Sequence, residues 1–167
     1  MFISILSACQ PSASFFGFMG CTMAMVLSSI GCAYGTAKSA VGASTAGVAS
    51  TESQGVRSLF GVIMAGILGI YGLVMSLLIS AGISSKNYGL FDGFAHLSAG
   101  LVEGTVSLAA GVCIGIAAEA GTMAMVTQPS LFVQMVIILI FAEALALFGV
   151  ITGVLLLLKV GGNVKCG

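Results

Sequence analysis

The chain has 167 residues; 59% are hydrophobic, 6% are charged, and the mean hydropathy is +1.20. Soluble domains carry about a quarter charged residues, so this composition excludes a water-soluble globule. Five Lys/Arg balance five Asp/Glu, and with one His and no basic cluster there is no electrostatic footprint for nucleic acid.

Residues 1–13 form an N-terminal segment, MFISILSACQPSA. It lacks a charged n-region and its apolar stretch is short, so the first membrane helix is expected to do the targeting. A helix needs about 20 apolar residues to cross a bilayer. Four stretches meet that length: Ser14 to Ala37, Leu59 to Ile83, Phe94 to Ala118 and Leu131 to Leu158. The first two make a helical hairpin over 14–83, and the last two a second hairpin over 94–158. Residues 84–93, SSKNYGLFDG, read as the connecting loop, and 159–167 as a C-terminal tail. The loops inside the hairpins are expected at 38–57 and 119–130, the latter broken by Gln128-Pro129-Ser130. The predicted fold is all-α, one membrane bundle. Lys38 and Arg57 on one side face Lys86, Lys159 and Lys165 on the other, which does not decide orientation.

The halves repeat each other. A shift of the first span by 80 residues places Gly20, Val26, Gly31 and Gly35 on Gly100, Val106, Gly111 and Gly115. A shift of the second span by 77 places Ala65, Leu68 and Gly72 on Ala142, Leu145 and Gly149. Two helices per repeat keep both repeats in the same orientation, unlike the inverted repeats of many transporters.

The 24 glycines are about twice the usual share of ~7%. In the odd spans they fall four apart, as Gly31/Gly35 and Gly111/Gly115. Small residues at that spacing let helix backbones approach closely. They serve either packing within one chain or the inner wall of a ring.

Most charges lie between spans, but Glu103 and Glu143 do not. Glu143 has roughly 20 Å of apolar helix on either side. An ionised carboxylate at the bilayer centre costs ~2.5 kcal/mol or more, and such residues usually mark function. A protonated carboxyl avoids that cost, so a midplane Glu binds a proton and releases it on meeting water or a cation. The equivalent position in the first half is Gly66, leaving one such carboxylate per four helices. Sodium is disfavoured because a hard cation wants several oxygens. The facing segment Ile63-Met64-Ala65-Gly66-Ile67 offers no side-chain oxygen, and Gln134 is over two turns away. Tyr71 is a candidate donor to Glu143, or else a packing aromatic. Glu103 is expected to be structural, lumen-facing or paired with His96 at i+7, ahead of the alternative of a second transport site; His96 itself is expected at the interface rather than in a catalytic role.

Enzyme motifs are missing. Residues 31–39, GCAYGTAKS, miss the P-loop pattern because Ala, not Gly, precedes Lys38. No cofactor or metal is expected. Cys9, Cys21, Cys32, Cys113 and Cys166 show no CxxC pair and read as small packing residues.

SFFGFMGCTMAMVLSSIGCAYGTAKS (14–39), VIMAGILGIYGLVMSLLI (62–79), LSAGLVEGTVSLAAGVCIGIAAEAG (97–121) and QPSLFVQMVIILIFAEALALFGVITGVLLLL (128–158) together resemble the ring-forming proteolipid of vacuolar-type proton ATPases. The resemblance covers most of the chain in order. It implies a membrane ring of proteolipid copies, homomeric or mixed, turning in lipid against a stator a subunit. The fourth-helix Glu, here Glu143, would carry the proton, and a stator Arg would discharge it. It implies that ATP is hydrolysed elsewhere, so the isolated chain is not an enzyme. Central-stalk subunits would meet the cytosolic loops, and the membrane would be vacuolar or another acidic endomembrane. Odd helices would form the inner ring, with Gly31, Gly35, Gly111 and Gly115 packing it. The chain departs from the family pattern at Glu103, at the Pro-free Glu52-Ser-Gln-Gly-Val-Arg57, and in a third loop without a basic residue. The rival reading is a structural or channel-forming tetraspan in which Glu143 is a buried hydrogen-bonding residue.

Overall fold

Apolar segments in lipid have no water to satisfy their backbone groups, so each must close its hydrogen bonds internally as a helix. The computed structural model describes residues 12–49, 56–83 and 88–160 and is all-helical across them. The helices are α1 (Ser12–Ala49), α2 (Phe60–Gly82), α3 (Leu90–Thr127) and α4 (Phe132–Leu158), with a 3-10 turn at Pro129–Leu131 before α4. Each is part of a segment long and apolar enough to cross a membrane. Most of the N-terminal segment with Cys9, the Glu52 stretch, Lys86 in the connecting loop, and Lys165 and Cys166 in the tail lie outside the described residues.

The even helices match the sequence expectation to within a residue at each end. The odd ones do not. α1 continues past Ala37 to Ala49, and α3 runs from Leu90 through Ala118 to Thr127. Each has 38 residues, about 57 Å of helix against a hydrocarbon core of ~30 Å. Hydropathy marks where lipid ends, and nothing in 38–49 stops a helix, because that stretch has no Pro. The two extensions support each other instead. Gly42, Ala43 and Ala46 of α1 and Thr122 and Met125 of α3 are buried. A Cβ on Gly42 would lie 2.8 Å from Glu119 Cα. Lys38 Nζ pairs with Glu119 at 3.2 Å across the same contact. At the other end, residues 90–93 belong to α3 rather than to the loop. The Gly89 N–H donates to Asp92 Oδ2 at 3.2 Å, and the carboxylate also complements the helix N-terminus.

α1 and α3 run parallel and share the most extensive interface. Equivalent positions of the two repeats meet there. A Cβ on Gly111 would lie 2.8 Å from Gly31 Cα, and one on Gly100 would lie 3.0 Å from Gly20 Cα. Only hydrogen fits between backbones this close. α2 and α4 close the bundle. Two thiols bind α1 to α2: Cys21 Sγ donates to Ser76 O at 3.3 Å and Cys32 Sγ to Gly66 O at 3.9 Å. Arg57 lies 5.6 Å from the Phe132 ring centroid, tying the starts of α2 and α4 together.

Candidate functional site

On α4 the buried positions are Met135, Leu139, Ala142, Glu143, Ala146, Gly149 and Gly153. That is a helical stripe with a single carboxyl in it. The other side is apolar and exposed, with Ile140, Phe141, Leu147 and Phe148 around the carboxyl. Glu143 sits at the stripe's edge, near the middle of the helix, and keeps 9% exposure. Its side chain therefore stands at the boundary between the bundle interior and the outer apolar face.

α2 supplies its partner. Tyr71 Oη donates to Glu143 Oε1 at 3.1 Å. Of the two roles open to Tyr71 in the sequence, donor and packing aromatic, the geometry contains the donor contact. Tyr71 also packs against the core cluster around Leu68 and Leu139. One neutral hydrogen bond is worth ~1 kcal/mol, a factor of about five. Tyr71→Phe is therefore expected to lower the stability of the solubilised protein by about that much, read as a shift in its thermal midpoint. An unchanged midpoint would mean the contact adds nothing to the packing of α2 on α4.

Glu103 and His96 are not paired. Glu103 is 0% exposed in the interior, and its Oε1 accepts a hydrogen bond from Ser107 at 2.7 Å. The i,i+4 spacing on one helix face carries this contact and was readable in principle. It also removes the lumen-facing option for Glu103 within one chain. His96 turns the other way. Its Nδ1 shares a hydrogen bond with Tyr88 Oη at 2.5 Å, and the two rings stack. His96 is buried within the protein, near the start of α3. The reason is Tyr88, which folds over the start of α3. Burial, with the Asp92 carboxylate second, pushes the Tyr88 phenol up to about 12. Tyr88 thus stays protonated at neutral pH. Neither i+8 contact nor stacking leaves a pattern in the sequence.

Gly31, Gly35, Gly111 and Gly115 are brought together by the α1–α3 contact inside one chain. Gly35 lies on Gly111 O, and Gly115 lies on Gly35 Cα and Lys38 Cβ. Gly66, the counterpart of Glu143 in the first repeat, has nothing within 4 Å of where its Cβ would stand. Among the described residues, no three His, Cys, Asp or Glu side chains cluster as metal ligands.

Comparison with known proteins gives a family. The family model for the C subunit of ATP synthase matches residues 19–79 and again 97–156. The two matches fall on the two hairpins.

Proposed function

Because the chain belongs to the ATP synthase C-subunit family, we propose that it is the proteolipid of a vacuolar-type rotor ring and that Glu143 is its proton carrier. Members of that family are membrane subunits of oligomeric rotor rings that work in proton translocation. They do not hydrolyse ATP, whose site lies in other subunits of the complex. The vacuolar assignment draws support from the duplicated hairpin with one mid-helix carboxyl, Gly66 standing where the other would be. In this reading the ring turns in an acidic endomembrane past a stator Arg, and the end bearing Lys38 and Glu119 meets the central stalk. The glycine contacts hold α1 and α3 together as the ring's inner layer.

The observation that carries the reading is the place of Glu143. It lies mid-span at the edge of an outer apolar face, with a phenol donating to it. In lipid the carboxyl is neutral and the Tyr71 bond holds it against the bundle. At an Arg-lined aqueous channel the cation favours ionisation, the proton leaves, and the carboxylate reloads from the second channel before returning to lipid. Opposite entry and exit channels turn proton transfer into rotation.

A hydrophobic carbodiimide tests this, since it reacts with protonated carboxyls exposed to lipid. Glu143 should take the label, and transport should stop as labelling proceeds. Label on Glu143 with transport intact would favour the tetraspan in which this carboxyl only bonds helices together.

A further inference from the structure

α3 holds a second intramembrane carboxyl that the proposed proton path does not use. Glu103 is enclosed on every side that the neighbouring contacts define. Ala99, Ser107 and Ala110 on its own helix face are buried. Towards α1, Gly100 lies on the Gly20 backbone and Gly104 on Met23 O and Leu27. Towards α2 and α4, Gly153 lies on Met75 and on Ala99 O, and Gly149 lies on Val106. Glu143 stands at the edge of its buried stripe; Glu103 has no such edge.

The hydrogen bonding is one-sided. Ser107 Oγ donates to Oε1, while Oε2 has no partner among the described residues. No Lys or Arg pairs with Glu103 among those residues, where the ion pair is Lys38–Glu119 at the helix extensions. One hydroxyl bond cannot offset the desolvation of a full charge in such a place. A neutral carboxyl avoids that cost and still accepts from Ser107 through Oε1.

We propose that Glu103 is a locked acid, holding one proton through the whole rotary cycle, so that each protomer contains two intramembrane carboxyls but delivers one proton. This rests on Glu143 being the carrier. It makes the protons moved per turn equal to the number of copies in the ring, not twice that number.

Infrared spectroscopy of the assembled ring in lipid, with carboxyl-labelled glutamate, tests it. Two protonated-carboxyl bands are expected. The band missing in Glu143→Gln should shift soon after transfer to D2O. The band missing in Glu103→Gln should resist exchange until the ring is unfolded. Glu103→Gln rings should also move the same number of protons per ATP as the wild type. A Glu103 band that exchanges as fast as the other, an ionised Glu103, or a halved proton count in Glu103→Gln would overturn the proposal. If Glu103→Gln does not assemble, wild-type rings with Glu143 blocked by carbodiimide serve instead. One slow protonated band must then remain, and its absence or rapid exchange counts against the locked acid. Normal pumping by Glu143→Gln would remove the carrier reading alone, since the exchange behaviour of the Glu103 band is read separately.

Discussion

Rings built wholly from Glu143→Gln chains are expected to assemble and to lose ATP-driven proton transport to background. Gln has the shape of a protonated Glu, and its amide oxygen can still accept from Tyr71 across the 3.1 Å contact. It removes the one property the proposed cycle needs, a proton that can leave. An amide in lipid also avoids the ~2.5 kcal/mol or more that an ionised centre would cost, so the fold has no reason to suffer. Acidification of sealed vesicles, read beside ring yield, separates the two effects. Wild-type acidification by this variant would end the carrier assignment. Loss of the ring itself would point to the structural tetraspan.

The second large effect belongs to the α1–α3 contact. A side chain on Gly111 would push into the Gly31 backbone, whose Cα stands 2.8 Å from the new Cβ. Backbone cannot move aside as a flexible side chain can. Overpacking of this kind costs roughly 1–3 kcal/mol, and more for a larger group. Gly111→Val is therefore expected to lower the thermal stability of the solubilised protein sharply and to cut ring yield. Gly66→Ala is the control. Its Cβ meets nothing within 4 Å, and replacing a mid-helix Gly by Ala commonly gains ~0.5–1 kcal/mol. Equal damage from both substitutions would mean that glycine acts here through helix flexibility rather than close approach.

The parts legible in sequence and the parts that were not differ for physical reasons. Hydropathy locates lipid, so α2 and α4, which end near the apolar boundary, were readable almost to the residue. α1 and α3 outrun that boundary because Gly42, Ala43 and Ala46 find a packing partner in the α3 extension. A one-dimensional scan sees only small residues there. Glu143 stood out because a charge amid 28 apolar-dominated residues has no local compensation. Its partner Tyr71 is 72 residues away, and only the packing of α2 on α4 brings the two together. The Tyr88–His96 contact was hidden for the same kind of reason: Tyr88 folds back over a helix start, a contact no periodicity encodes. Glu103 was visible as an anomaly, but its confinement depends on the glycine contacts of all three neighbouring helices.

The rotary reading makes a demand that a set of independent carriers does not. Every copy must pass the stator in turn, so one copy unable to release a proton stalls the whole ring. Wild-type and Glu143→Gln chains should therefore be co-expressed in graded ratios, and ATP-driven acidification measured against the mutant fraction in purified rings. Transport is expected to fall far more steeply than the number of wild-type copies, and to be nearly gone while most copies are still wild type. A decline in simple proportion to the wild-type fraction, or no decline, would contradict Glu143 as the proton carrier of a turning ring.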